Sequence, residues 1–374
     1  MKKILFIGHR DMFFGAESVL FRIISHALGN KAAEVSVVLP YGRSNGFREA
    51  LRETENVSVI RSPFRLVNPR ALLSLLIMLW NNMALLQLWV VCRRKRINVI
   101  YSNTCINIIG PLLAWILNIE HIWHFHEQPT GGSFRWIPAF LYPLYRKLLK
   151  RRQNLVVFIS HQQKELWEKE FGITIPRSVV IYTPARFLRK QEVPVRQAVV
   201  FGFLGSFTRP KNILPLINCF GTLQHKYPEI PARLHIMGGG EQKGEIMRTI
   251  QALGLDGQVS VLPHSRDVDD FFAGIDIFVL PSDFESWGLV AMEAMSIEIP
   301  TIITSNTSLT EILTHREDTV FIDPAQPDEL LRAMEEMLIQ QVFRDNIAKR
   351  GYQKLKALNL EAAFEKEVSK LLLV

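Results

Sequence analysis

The 374 residues are enough for about two domains of ordinary size, and 48% apolar with 21% charged residues describes a globular chain with ample core, not a disordered or fibrous one. The formal net charge of +8 points to an anionic partner: a phosphate-bearing substrate, an acidic lipid surface or nucleic acid. The three cysteines, Cys92, Cys105 and Cys219, stand far apart, which excludes a disulfide framework and a cysteine-ligated metal and fits a reducing compartment.

The start, Met1-Lys2-Lys3-Ile4-Leu5-Phe6-Ile7-Gly8, is too short for a signal peptide and reads as a first buried strand. Further strands are predicted at Glu34–Leu39, Val57–Ile60, Val99–Tyr101, His121–Phe125, Leu155–Ile159 and Val179–Ile181, after an opening strand at Ile4–Ile7. Helical stretches alternate with them, the pattern of a parallel sheet covered on both faces. Phe13-Phe14-Gly15-Ala16-Glu17 makes the first strand-to-helix turn, with Gly15 as its one glycine. From Ala71 to Cys92 no residue is charged, and Arg93-Arg94-Lys95-Arg96 follows. That length would span a bilayer. The strands on either side must pair in one sheet, however, and Asn81, Asn82 and Gln87 interrupt the run, so a membrane crossing is excluded. Trp123-His124-Phe125-His126-Glu127-Gln128-Pro129 closes another strand and puts His126 at its carboxyl end, with Ser160 and His161 at the end of the next. Residues 134–152 are basic and aromatic, which together with 71–96 suits peripheral contact with an anionic membrane surface.

Residues 183–196 are polar, basic and punctuated by prolines, and read as a linker. The strand pattern then repeats at Val199–Leu204, Arg233–Met237, Val259–Leu262, Ile277–Leu280, Thr301–Thr304 and Val320–Ile322. After the first of these come Ser206, Arg209 and Lys211; Met237-Gly238-Gly239-Gly240-Glu241 follows the second, a turn in which Gly239 gives a ligand room. Asp267-Val268-Asp269-Asp270 precedes Phe271-Phe272, so an aspartate there is expected to cap a helix and not to bind metal.

The most informative stretch is Pro281 to Met295. A buried strand runs into Ser282-Asp283-Phe284-Glu285-Ser286-Trp287-Gly288, then into an apolar helix expected to begin near Trp287 and carrying Glu293. Seven residues separate Glu285 from Glu293. Bare N–H groups at a helix start bind phosphate, and Gly288 lets a ligand approach the backbone. A diphosphate flanked by two hydroxyl-rich groups satisfies that set, and a nucleotide sugar is such a molecule.

This segment resembles the Glu-x7-Glu signature of retaining glycosyltransferases of glycosyltransferase family 4, which have the GT-B fold. The resemblance implies an α/β chain of two doubly wound Rossmann-like domains facing across a cleft: residues 1–187 on the acceptor side, 188–356 binding the nucleotide sugar, and a helix at 357–374 packing back on the first domain. It implies that Glu285 contacts donor sugar hydroxyls, Glu293 the ribose, and Lys211 with the amides of Leu289 and Val290 the diphosphate. His126, at the position of the family histidine near the donor sugar, positions groups, and Gly15 belongs to a loop similar to the family's Gly-Gly-Ala-Glu. Where the family has an arginine this chain has Ser206, with Arg209 the candidate to supply the charge. Glu298 stands at a helix-ending glycine position, and Thr307-Ser308-Leu309-Thr310-Glu311 replaces Gly-Gly-x-Pro-Glu.

The resemblance further implies transfer of a hexose from a nucleoside diphosphate sugar to a polysaccharide or lipid-linked acceptor, with neither metal nor other cofactor, by a protein on the cytoplasmic face of the membrane. A nucleotide-sugar epimerase on the same fold and a non-catalytic nucleotide-sugar-binding protein are the alternatives. Nucleic-acid binding is not expected, because the basic residues border apolar helices.

Overall fold

The computed structural model describes residues 2–11, 15–29, 33–42, 46–66, 70–129, 137–191, 196–265 and 267–373. All thirteen predicted strands are present among them, with every predicted end within two residues of the observed one. The chain divides into two compact units, residues 1–183 with 361–374, and residues 184–360.

The first unit holds β1 (Lys2–Ile7), β2 (Ala33–Pro40), β3 (Val57–Ser62), β4 (Val99–Asn103), β5 (Glu120–Phe125), β6 (Asn154–Phe158) and β7 (Ser178–Val180). They form one parallel sheet in the order β3-β2-β1-β4-β5-β6-β7. Ile4, Leu5, Phe6 and Ile7 are all fully buried, alternately in cores on the two faces of the sheet. A strand covered on both sides must be apolar at every position, and for that reason it reads as a continuous run.

The second unit holds β8 (Val199–Ser206), β9 (Ala232–Gly239), β10 (Val259–Pro263), β11 (Ile277–Leu280), β12 (Thr301–Thr304) and β13 (Val320–Ile322), parallel in the order β10-β9-β8-β11-β12-β13. In each unit the strand order reverses once, between β1 and β4 and between β8 and β11. Ligands of open parallel sheets bind beyond the strand carboxyl ends at such a reversal, which locates a candidate site in each unit from topology alone.

The expected linker differs from the structure. Residues 184–191 belong to the second unit and lie against it: the Leu188 amide donates to Ser296 Oγ at 3.0 Å, Arg186 pairs with Asp269 at 2.6 Å, and Lys190 pairs with Glu298. Polar, basic composition here reflects docking onto carboxylates and a hydroxyl. Arg196 likewise pairs with Asp276 at 2.8 Å, and residues 192–195 lie outside the described residues. At the other end, Asn359 turns the chain with φ of 42° into a final helix, Leu360–Leu373. Its Phe364, Val368, Leu371 and Leu372 sit in the same core as Ile23, Ile24 and Val37, and His26 Nε2 lies 2.7 Å from Ser369 Oγ. Apolar residues at helical spacing bury one face against the first unit's sheet.

Candidate active site

In the second unit three loops at strand carboxyl ends are stitched together. Arg209–Lys211 forms one 3₁₀ turn, and Asn212 follows in the left-handed region with φ of 53°. From there its Nδ2 donates to Asp283 Oδ1 at 2.6 Å and to the Pro281 carbonyl at 3.1 Å, while the Asp283 amide donates to the Pro210 carbonyl at 2.8 Å. The loop after β12 joins through Asn306, whose carbonyl accepts from the Glu285 amide at 3.0 Å and whose Nδ2 donates to the Asp283 carbonyl at 3.0 Å.

This stitching holds Lys211 against Glu285, Nζ to Oε2 2.5 Å, both side chains partly buried. Partial burial with a fixed geometry makes such a pair stronger than an exposed one. Ser282 Oγ lies 3.4 Å from the same carboxylate oxygen. Two site residues 74 positions apart in sequence are thus in direct contact.

The helix after Glu285 begins at Leu289, two residues past Trp287, with Gly288 in a left-handed conformation (φ 69°, ψ 46°) as its N-cap. That torsion favours glycine, and a Cβ at Gly288 would lie 3.0 Å from Leu309 Cδ1, close enough that the leucine methyl would have to shift. The Gly288 carbonyl accepts from Ala291 at 3.0 Å and Met292 at 3.3 Å, whereas the amides of Leu289 and Val290 have no acceptor among the described residues.

Glu293, one turn on, is half-buried, and its carboxylate has no hydrogen-bond partner among the described residues. Burial pushes its pKa up to about 7, against the pull of Arg186 and with a smaller push from Asp269. A carboxyl group kept half out of water and left unsatisfied is suited to receive hydroxyl donors.

Ser206, the last residue of β8, is exposed, with Thr208 Oγ1 3.4 Å from its hydroxyl, and faces Gly239 in the strand register. Arg209 is exposed and has no side-chain partner among the described residues. Of the three glycines after β9, Gly239 is exposed with open space around its Cα. Packing demands the other two: with φ of +153° a Cβ at Gly238 would sit 1.9 Å from the Gly205 carbonyl oxygen, and with φ of +155° one at Gly240 would sit 2.5 Å from the Phe207 carbonyl oxygen. Asp267 accepts from the Asp269 amide at 3.2 Å at the entry to the Asp269–Ala273 helix, though the formal N-cap is Val268. Glu298 does occupy the left-handed region at the helix end, φ 62°, and Thr307 caps a 3₁₀ turn by accepting from Leu309 at 3.3 Å.

In the first unit, His126 lies just beyond β5, half-buried. Asn103, the last residue of β4 and fully buried, donates from Nδ2 to the Ala16 carbonyl at 3.1 Å. That bond orients the amide so that Oδ1 faces His126 Nε2 at 2.8 Å, and the imidazole must therefore carry its hydrogen on Nε2. Burial lowers the His126 pKa to about 3, so the ring is neutral. His9, at the end of β1, is held to about 3 chiefly by burial and lies 3.0 Å from Glu17.

Asn103 and its neighbour Thr104 were not singled out by sequence reasoning. Thr104 is fully buried with φ of 77°, a strained position for a β-branched residue, and its hydroxyl has no partner among the described residues. The available signal was polar Ser102-Asn103-Thr104 at the carboxyl end of the predicted strand Val99–Tyr101. Gly15 opens the Gly15–Gly29 helix; residues 12–14 of its loop lie outside the described residues. Ser160 is a buried N-cap whose hydroxyl accepts from the Gln163 amide at 2.9 Å. Among the described residues no three or more His, Cys, Asp or Glu side chains gather to hold a metal.

Two open parallel sheets with polar, loop-built sites at their switch points define the GT-B class, and comparison with known proteins agrees. Residues 15–185 match the family model described as Glycosyltransferase Family 4, and residues 185–354 the one described as Glycosyl transferases group 1. The chain belongs to this glycosyltransferase family. It is 30% identical over 234 residues to a mannosylfructose-phosphate synthase of Agrobacterium fabrum, covering 56% of this chain and 51% of that protein. It is 25% identical over 166 residues to the lipopolysaccharide core biosynthesis glycosyltransferase LpsE of Rhizobium meliloti, covering 44% of this chain and 47% of that one. The matched stretch thus spans about half the length of these two curated relatives. The structure of Anabaena Alr3699/HepE in complex with UDP and glucose superposes with a TM-score of 0.80 over 100% of both chains at 18% identity, a likeness of fold.

Proposed function

We propose that this chain is a retaining hexosyltransferase that moves a sugar from a nucleoside diphosphate donor to a polysaccharide or lipid-linked acceptor, working at the cytoplasmic face of an anionic membrane. The observation that carries this reading is the Lys211–Glu285 contact beside two unsatisfied amides beyond Gly288. The Lys211 ammonium offsets the charge of the Glu285 carboxylate it touches, so Glu285 can accept donor sugar hydroxyls without repelling the diphosphate. The amides of Leu289 and Val290 take the phosphate oxygens, Glu293 the ribose hydroxyls, and exposed Arg209 adds charge where Ser206 has none.

In the reaction the bond from the anomeric carbon to the diphosphate oxygen breaks. The acceptor oxygen bonds to that carbon on the same face, and the acceptor proton passes to the departing phosphate. Charge grows on the leaving group, which is where Lys211 and the amides act. His126, neutral and hydrogenated on Nε2, positions substrate groups and is not an acid; Gly15 gives close backbone approach on the same unit. No metal is assigned to the step, so chelation is expected to leave the rate unchanged.

A nucleotide-sugar donor and a glycan acceptor also fit the names of the relatives: one is a glycosyltransferase of lipopolysaccharide core biosynthesis, and the Anabaena structure holds UDP and glucose. The test is a panel of nucleoside diphosphate sugars scored by thermal shift and by transfer. One donor is expected to raise the melting temperature and to give product of unchanged anomeric configuration only when acceptor is present. A sugar isomer formed from donor alone would assign an epimerase instead, and binding without turnover across all acceptors a binding protein.

A further inference from the structure

The helix Ala71–Lys95 is apolar on two opposite faces. One face, Ala84, Leu88 and Cys92, packs in the core of the first unit with Leu5, Ile7 and Ile100, and Ile77 on the same face is buried as well. The other, Leu72, Leu76, Leu79, Met83 and Leu86, follows a spacing of four and three and is exposed; Leu72 is 73%, Leu79 67% and Leu86 65% accessible. Leu75, Trp80 and Trp89 widen it. A contiguous apolar stripe of this size on a surface marks an interaction site.

The helix is long and apolar enough to cross a membrane, but it is fastened along its length. Asn81 donates to the Arg65 carbonyl and accepts from the Arg65 amide, each at 2.9 Å; Trp80 Nε1 donates to the Pro63 carbonyl at 2.6 Å, Gln87 to the Arg61 carbonyl at 2.9 Å, and Lys95 to Ser58 Oγ at 3.0 Å. A spanning orientation would drag β3 and its exit strand into hydrocarbon, where irregular backbone is not tolerated. The helix must therefore keep its long axis along the unit's surface.

Charge says what covers it. No Asp or Glu occurs between Glu55 and Glu120, while Arg61, Arg65, Arg70, Arg93, Arg94, Lys95 and Arg96 do. Arg65 lies over Trp80 and Arg93 over Trp89, so cations border the indoles at the stripe. Tryptophan and arginine beside exposed leucines suit the headgroup layer of an anionic bilayer.

We infer that the Ala71–Lys95 helix is the membrane-inserting element of this protein, lying in the plane of an anionic lipid surface with Leu72, Leu76, Leu79, Met83 and Leu86 among the acyl chains. This rests on the peripheral membrane contact proposed above and identifies the element that makes it; the basic aromatic segment 134–152 is not needed for insertion.

The test is flotation of the full chain with phosphatidylcholine vesicles carrying about a third phosphatidylglycerol. The protein is expected to float with these, far less with phosphatidylcholine alone, and less as salt is raised to ~0.5 M. Leu79→Glu/Leu86→Glu should lower partition by roughly tenfold or more, and Arg93→Glu/Arg94→Glu should abolish the preference for anionic vesicles. Both variants change exposed residues, so their melting temperatures and their thermal shift with donor should match the wild type. Flotation of the leucine variant equal to wild type would overturn the inference. So would a wild-type protein that ignores vesicles, whether it is a dimer dispersed by the leucine change, which gives the stripe to a second copy, or a monomer, which gives it to another protein. Retained donor binding in those cases leaves the catalytic reading intact and removes only the membrane element.

Discussion

The two units use one topology for opposite electrostatic ends. In the second, the switch-point loops hold an ion pair, unsatisfied amides and a carboxyl group with a pKa of about 7. In the first, the corresponding loops hold histidines that burial keeps neutral, with His126 fixed in one tautomer by Asn103. The second unit gathers charged groups at its strand ends; the first gathers buried histidines that stay neutral near neutral pH. Sheet order decides where a site lies, and the residues at the strand ends decide which part of the reaction it serves.

The largest expected effect is on the charged side. Lys211→Ala should slow transfer by a hundredfold or more, on the order of 3 kcal/mol, because it removes a charge aimed at the growing phosphate anion. Donor KM should change much less, and an unaltered kcat would break the assignment.

Next comes acid sensitivity. The folded pKa values of His9, His121 and His126 are about 3 against an ordinary 6.5. Between those limits the unfolded chain binds more protons, so the first unit loses stability as pH falls below 6.5, by up to ~1.4 kcal/mol per pH unit per histidine. Glu293 has the opposite sign: its pKa is raised from 4.5 to about 7, so its burial penalty grows as pH rises through that window and vanishes in acid. Hydrogen exchange corrected for intrinsic rate should show protection of β1, β4 and β5 falling from pH 6.5 to 5, with β11 and the helix after it spared. Equal loss in both units would contradict the contrast.

Glu293→Gln sharpens it further. If the ionised carboxylate receives ribose hydroxyls, donor affinity should fall as pH drops through 7 in the wild type. The variant should bind about tenfold more weakly at pH 8 and show no such dependence. Isothermal titration across that range decides it.

The smallest effect is at Glu298, left-handed at φ 62° where glycine is at ease. Relief of strain in Glu298→Gly, about 1 kcal/mol, is opposed by the greater chain entropy of glycine and by loss of the exposed pair with Lys190. A shift in melting temperature of a few degrees at most, with unchanged kinetics, is expected.

The fold was legible because buried parallel strands are apolar at every position, as Ile4 to Ile7 and Ile277 to Leu280 are. The donor loop was legible because Glu285, Gly288 and Glu293 lie within nine residues of one another. What escaped was set by contacts distant in sequence. Asn103 is ordinary until Ala16 and His126 are seen on either side of its amide. The 184–191 segment reads as a linker until its partners, Asp269, Ser296 and Glu298, appear. The apolar run at 71–92 fits core and membrane surface alike by composition, and only the fold separates its two faces.

The central claim is that the strand-end loops of the second unit grip the donor's diphosphate and ribose. A crystal structure with the nucleoside diphosphate selected by the donor panel tests it most directly. The account predicts phosphate oxygens about 3 Å from the Leu289 and Val290 amides and from Lys211 Nζ, with a ribose hydroxyl on Glu293. A diphosphate bound away from Gly288, with the Glu293 carboxylate still unsatisfied, would contradict it.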